Sequence, residues 1–224
     1  MKIVAVIPIK FNNRRLPGKN IRPFTGGKPL CQYVFSTAMD IKQFDAVYVY
    51  CSDDRVKEYM LPGMKFLRRS EKFDADSAVI NDLLKAFAEE VPADIYTLMH
   101  VTAPFIKPST VEKGIAAVAS GEYDSAFSVQ GMQEFLWQDG KPLNYNPIFV
   151  PRTQDLPKIY KETSAFFVYN KDVIKSGRRI GDKPFMVETG ETESIDIDNE
   201  EDFMIADAVF SCIVKPHGGG KDSL

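Results

Sequence analysis

Two short segments of this chain carry residue types that do chemistry together. The first, Lys10-Phe-Asn-Asn-Arg-Arg-Leu-Pro-Gly-Lys-Asn-Ile-Arg22, holds five basic residues and no acidic one, then runs on through Gly26-Gly27-Lys28-Pro29. Such a loop, with glycines and a helix start nearby, offers cations and amide donors to phosphates. It is not a Walker P-loop, because Gly18-Lys19 is followed by Asn20 and the required earlier glycine is missing; no GxGxxG is present either. The second segment is Glu193-Ser-Ile-Asp-Ile-Asp198, followed by Asn199-Glu-Glu-Asp202. On an extended strand Asp196 and Asp198 project to one face, so their carboxylates can converge on one cation. Mg²⁺ characteristically takes one or two carboxylates together with substrate phosphates and waters, and Mn²⁺ suits the same oxygens. Helix capping by Asp198 or Asn199, with Glu200, Glu201 and Asp202 on the helix dipole, accounts for the later acids but leaves Asp196 unexplained. Each pattern alone is common. Together, a cationic phosphate cradle and a carboxylate pair make a nucleotidyl-transfer site, in which cations neutralise a departing pyrophosphate.

The elements that must position these segments alternate in type. Ile3–Ile7, Ala46–Tyr50, Lys65–Leu67, Ile95–Met99 and Ser125–Val129 are β-branched or aromatic runs of strand length. Between them lie helical patterns over Leu30–Ile41, Asp54–Tyr59, Ser77–Val91 (capped by Asp76 or Ser77) and Ser109–Ala119. Such alternation predicts βαβ units, right-handed crossovers and a mostly parallel sheet, with ligands in the crevice beyond the strand carboxyl ends. The rhythm breaks after Gln130. From Met132 to Pro157 the chain is rich in Asp-Gly, Pro, Asn and aromatics, which predicts an arm leaving the core. The core resumes at Ser164–Tyr169, where alternation puts at least one of Phe166 and Phe167 inside, and a last helix spans Glu200–Val214. One α/β domain over 1–214, an inserted arm at about 132–160 and a flexible Gly-rich tail at 215–224 are expected.

Composition excludes several classes of function. The 224 residues carry Lys+Arg 28 against Asp+Glu 31, a net charge of −3, which does not suit wrapping nucleic acid by charge. The apolar run near the start, Ile3 to Ile7, is far below the roughly 20 residues of a membrane span and too short for a secretory signal, so a cytoplasmic protein without a membrane partner is expected. Cys31, Cys51 and Cys212 show no CxxC spacing and are expected as free thiols in a reducing compartment. With only two histidines a His-based zinc site has too few ligands, and carboxylates are left to hold any metal.

The string Ile7-Pro8…Leu16-Pro17-Gly18-Lys19-Asn20…Gly27-Lys28-Pro29-Leu30 resembles the opening of the acylneuraminate (CMP-sialic acid synthetase-like) cytidylyltransferases. In order, Cys51-Ser52-Asp53, Leu67-Arg68 before Ser70-Glu71, His100-Val-Thr-Ala-Pro104, Pro151-Arg152…Leu156-Pro157 and Ser194-Ile-Asp-Ile-Asp198 resemble the family's later motifs. The resemblance covers roughly residues 1–210 and implies a Rossmann-like nucleotidyltransferase domain with an inserted dimerisation arm. It implies that CTP activates an acidic sugar, giving a CMP-linked product. Lys19 would be catalytic at the phosphates, and Asp196 and Asp198 would be both catalytic and the Mg²⁺ ligands. Lys10, Asn12, Asn20, Arg68, Cys51, Ser52 and Asp53 would bind nucleotide, and His100, Thr102 and Arg152 the acceptor, Arg152 reaching a partner's site in a homodimer.

The departures from the family pattern concern the acceptor. Phe11-Asn-Asn-Arg-Arg15 is bulkier and more basic than the usual glycine/serine loop, Lys10 stands where arginine is usual, and Trp137 stands where an acceptor-facing lysine would be. Sialic acid, another nonulosonic acid, a shorter ulosonic acid and a phosphonate-bearing acceptor all remain open. Two rival functions are a GT-A-like glycosyltransferase, whose DxD usually lies mid-chain, and a non-catalytic nucleotide-binding module, which would not need paired metal carboxylates.

Overall fold

In the computed structural model, which describes residues 1–214, the first half of the chain builds a sheet from the inside outward. Strands β1 (Ile3–Pro8), β2 (Ala46–Cys51), β3 (Lys65–Arg68) and β4 (Ile95–Met99) alternate with helices α1 (Cys31–Asp40) and α2 (Ile80–Glu90). Then follow α3 (Pro108–Ala119), β5 (Ser125–Met132), the short hairpin β6 (Trp137–Gln138) and β7 (Lys141–Pro142), β8 (Ile159–Asn170), α4 (Lys171–Lys175), β9 (Pro184–Glu188) and α5 (Glu200–Val209). Seven strands form one sheet in the order β3-β2-β1-β4-β8-β5-β9. All neighbours pair in parallel except β8, which runs antiparallel to β4 and to β5. A mostly parallel sheet needs cover on both faces. The face with Ala5, Ile7, Val49 and Met99 packs on α1 and α3; the face with Val4, Val6, Leu98 and Phe167 packs on α2 and α4. Phe166 and Phe167 are both buried, one on each face.

A third apolar cluster does the positioning. Leu16, Phe24 and Leu30 from the basic loop pack with Ile197 and with Phe203, Ala206 and Phe210 from α5 and its last turn. Phe24 is its hub, with ring centroids 5.2–5.8 Å from Tyr33, Phe105, Phe203 and Phe210. Arg22 grips Glu200 bidentately at 2.7 and 2.9 Å, and Thr25 binds Asp207 through both N–H and hydroxyl. Residues nearly two hundred positions apart are thereby clamped side by side at the carboxyl edge of the sheet.

Two local assignments differ from the sequence reading. Helix α2 begins at Ile80 rather than Ser77 and has no side-chain cap; Ser70 caps a 3-10 turn at Glu71–Asp74 instead, and Asp76 turns toward the basic loop. Asp196 and Asp198 lie in extended chain outside any strand. The helix after them is capped by Asn199 through a capping box with Asp202. The expected flexible tail at 215–224 lies outside the described residues.

Candidate functional site

The basic loop leaves β1 and turns sharply at Leu16-Pro17-Gly18. Gly18 has φ +71°, a left-handed conformation a side chain resists, and its carbonyl accepts from Ile21 and Arg22 N–H at 3.1 Å. The turn directs Lys19 inward. Its side chain is 8% exposed, with Nζ donating to the Ile197 carbonyl at 2.6 Å and to Asp198 Oδ1 at 3.4 Å. Arg15 binds the other oxygen of Asp198 at 2.9 Å. Across the opening, Arg14 and Lys10 converge on Asp76, at 2.6 and 3.7 Å. These groups rim a cavity of about 460 Å³ at the carboxyl ends of β1 and β4, with His100 and Thr102 in its wall.

Asp196 sits behind Asp198. The Ile197 amide donates to the Thr102 carbonyl at 2.9 Å, and Ile197 itself is buried in the clamp, so the two aspartates flank it. Burial pushes the Asp196 carboxyl up, the charge of Asp198 adds to this, and the Thr102 hydroxyl and Lys19 oppose it. Asp196 Oδ1 is buried without a hydrogen-bond partner. A buried orphan carboxylate oxygen beside a second carboxylate is a hard-oxygen donor set, and it fits Mg²⁺. Among the described residues no cluster of three or more His, Cys, Asp or Glu side chains offers a fuller cage.

A second cavity, about 320 Å³, adjoins the first through Pro8, Lys10, Asp76 and His100, and is walled by Arg69, Phe73 and Leu83. It lies toward β3 and α2 and has the apolar floor a planar base needs. Arg69 is buried and pairs with Asp74, whose other oxygen accepts from the Ser52 hydroxyl at 2.5 Å.

Several expected site residues are placed elsewhere. Arg68, expected in the nucleotide pocket, points away, more than half exposed and paired with Asp54; its neighbour Arg69 faces the pocket instead, because adjacent residues at a strand end take opposite sides. Cys51 lies wholly in the core, its thiol pushed up by burial, and Asp53 caps a 3-10 turn and pairs with Arg55. Asn12 is exposed and donates to the Asp74 carbonyl at 3.3 Å, whereas Asn13 lines the larger cavity with a buried, unpartnered Oδ1. Asn20 is buried and ties the loop to itself through the Lys10 carbonyl at 2.7 Å. Thr102 serves Asp196 as much as the cavity. Arg152 is exposed in the arm, paired with Asp155 and away from both cavities of its own chain.

His100 is half-buried between the two cavities. Burial and the nearby Arg179 charge bring its pKa down to about 4, against opposing effects of the Ser164 carbonyl and Asp198. The imidazole is therefore neutral at pH 7, a hydrogen-bond partner rather than a cation. Ser164 holds its place through a bulge: its φ is +57°, and the Ser128 hydroxyl accepts from the Ala165 and Phe166 amides at 3.1 and 3.3 Å.

Basic side chains of the loop after β1 thus face Asp76 and Asp198 in a cavity at the carboxyl edge of an α/β sheet with strand order 3-2-1-4. The cytidylyltransferase family profile matches residues 4–206, and the chain belongs to that family. It is 30% identical over 215 residues to the N-acylneuraminate cytidylyltransferase of Oncorhynchus mykiss, covering 92% of this chain and 49% of the relative. It is 26% identical over 195 residues to the 3-deoxy-manno-octulosonate cytidylyltransferase of Escherichia coli, covering 78% and 75%. In fold it is similar to a CMP:2-keto-3-deoxy-manno-octonic acid synthetase complexed with CTP, with TM-score 0.70 at 20% identity over 94% and 99% of the two chains. The chain spans about half the length of the N-acylneuraminate relative. Among the described residues no helix is long and apolar enough to cross a membrane.

Proposed function

We propose that this protein joins CTP to a hydroxyl of an acidic sugar of the acylneuraminate or wider nonulosonic class, releasing pyrophosphate and forming the CMP-linked sugar. The observation that carries the reading is Lys19: a buried lysine held against Asp198 at the mouth of a cavity rimmed by Lys10, Arg14 and Arg15. The triphosphate lies in this basic cavity and the base in the adjoining pocket beside Arg69 and Phe73. Family membership supports CTP as the nucleotide.

The acceptor hydroxyl attacks the α-phosphorus in line and gives up its proton to solvent; the new P–O bond forms as the bond to the β-phosphate oxygen breaks, and pyrophosphate leaves. Lys19 lies where negative charge grows at the α-phosphoryl group, and Arg14 and Arg15 exchange their carboxylate partners for the departing phosphates. Asp196 and Asp198 would hold Mg²⁺, which supplies further charge neutralisation at the phosphates when bound. The chain's own contribution is positioning and preset charge. His100 stands neutral at the wall, able to accept or donate one hydrogen bond.

A pyrophosphate-release assay with CTP, Mg²⁺ and a panel of ulosonic acids tests this, with ATP, GTP and UTP as controls. Pyrophosphate appearing with CTP and one acceptor class is the expected result; none with any acid overturns the reading. A shorter ulosonic acid is the second reading, favoured by the octulosonate relative, which this chain covers over three-quarters of its length.

A further inference from the structure

We propose that Arg179, in the loop between α4 and β9, reads the carboxylate of the acceptor. The inference rests on the cytidylyltransferase reading and narrows it to a residue that recognises one functional group. If the base occupies the pocket toward β3 and the triphosphate the basic cavity, an acceptor can reach the α-phosphorus only from the other side of His100. Strand β8 lies there, next to β4 and away from β1: Leu98 pairs with Phe167, and the His100 amide donates to the Ala165 carbonyl at 3.1 Å.

Arg179 covers this flank. Its guanidinium lies 3.9 Å above the Phe167 ring, whose centroid is 6.1 Å from that of His100. A planar guanidinium stacked on an aromatic keeps its edge free for in-plane hydrogen bonds. One Nη2 bond to Glu162 Oε1, 3.1 Å, ties that edge down, and both side chains are partly exposed, at 24% and 36%. A single bond leaves the rest of the five-donor fork for a bidentate carboxylate. The adjacent Arg178 shows the contrasting arrangement: both its terminal nitrogens hold Asp182, at 2.7 and 3.2 Å, which folds the loop locally and turns Arg179 toward the sheet. Arg179 also bears on His100 electrostatically, its charge depressing the imidazole pKa after burial.

The test compares acids with their neutral amides. N-acetylneuraminate and 3-deoxy-manno-octulosonate, and the C1 amide of each, are assayed with CTP and Mg²⁺ on the wild type, Arg179→Met, Arg179→Lys and Glu162→Gln. The wild type is expected to prefer acid to amide by about 10- to 100-fold in kcat/KM, the range of a charge-assisted hydrogen bond. Arg179→Met should raise the acceptor KM about 10-fold or more, leave the CTP KM unchanged, and erase the acid preference. Arg179→Lys should keep part of it, and Glu162→Gln, which frees the fork, should lower the acceptor KM. If Arg179→Met retains the acid preference, or if Glu162→Gln causes the same loss, Arg179 is a structural staple and the proposal fails. No turnover of either acid by enzyme that binds CTP also overturns it, whereas failure of the wild type to bind CTP with Mg²⁺ overturns the reading beneath it.

Discussion

The carboxyl-edge crevice and the arm at 133–158 are both thermodynamically uncomfortable, in opposite ways. The crevice gathers charge: Lys10, Arg14, Arg15 and Lys19 face Asp76 and Asp198, with Asp196 Oδ1 buried and unpaired. The arm gathers apolar surface. Ile148 and Phe149 are each 78% exposed, and Trp137, Leu143 and Val150 are more than half exposed. Its internal order is local: Phe135 and Trp137 pack on Tyr145 at 4.5 and 6.1 Å, Asn144 ties the hairpin, and Gln133 holds the Gln154 and Leu156 carbonyls. Basic side chains gathered in one crevice select a small anionic ligand, whose counter-charge they attract. Exposed aliphatic and aromatic surface selects a large apolar one, another protein surface. One molecule thus carries two kinds of incompleteness, and we infer that a nucleotide completes the first and a second copy of this chain the second.

The sharpest way to break the crevice half of this contrast is Lys19→Ala. It removes a preset cation from the phosphates, and kcat should fall by about 10²-fold or more. Lys19→Arg should restore only part, because a fork fits a single-point contact poorly. Activity near wild type in Lys19→Ala, measured by pyrophosphate release, would leave the basic loop as mere surface charge.

Asp196→Asn and Asp198→Asn come next, each costing about 10²-fold in rate with the fold retained. They should separate in stability. Because burial raises the Asp196 pKa, the folded state favours its protonated form, so stability is present at low pH and lost as pH rises through the shifted value. Asn mimics that neutral form, and Asp196→Asn should melt higher than wild type at pH 7 by calorimetry, each kcal/mol relieved being worth about 2–4 °C at this chain length. Asp198→Asn instead strands Lys19 and Arg15, and should melt lower.

The arm half is tested by Ile148→Asp with Phe149→Ser. Both side chains are exposed in one copy, so the thermal midpoint of the monomer should barely move, while a dimer built on this surface should weaken by about 10-fold or more. Light scattering across micromolar concentrations measures it. A wild type that is monomeric throughout removes the partner from the comparison, and with it any role for Arg152 across subunits.

Much of the crevice was legible in sequence and little of the arm's detail was. β1, β2 and β4 are apolar runs that only a sheet covered on both faces can bury, so their alternation with helices revealed the architecture. The Pro-Gly-Lys turn was legible because it needs a particular residue type at a particular place, whereas the Asp-Ile-Asp segment reads as a strand and lies in extended chain outside any strand. The clamp that joins them was not: Phe24, Phe105, Phe203 and Phe210 meet only in space, with no shared periodicity. Arg68 and Arg69 differ by one residue, and only the end of β3 decides which faces the pocket. Ser77 and Asp76 are good cap types, but Asp76 is drawn off by Lys10 and Arg14. β9, five residues beginning with proline at the sheet edge, and the single turn of α4 fall below any periodic signal.

The finest distinction falls at the seam between nucleotide and acceptor, and His100 offers a measurement there that needs no substrate. Its folded pKa of about 4 lies below the unfolded value near 6.5. Between those values the unfolded chain binds the extra proton, so stability is full above about pH 6.5 and declines as pH falls toward 4. The slope from one such group is at most about 1.4 kcal/mol per pH unit. Carboxylates held low by ion pairs, such as Asp54, Asp94 and Asp182, release their share of stability only near the bottom of this range, and the raised Asp196 carboxyl is common to wild type and variant, so the difference between their curves from pH 6.5 to 5 reports the histidine. His100→Gln keeps a polar side chain without the titration, and its thermal midpoint should stay nearly level over that interval while the wild type's falls. Arg179→Met should lie between the two, since it removes the charge that adds to burial and lets the imidazole protonate earlier in the folded state. Parallel curves for wild type and His100→Gln would mean that the ring is freely hydrated, and the wall between the two cavities would then be solvent rather than protein.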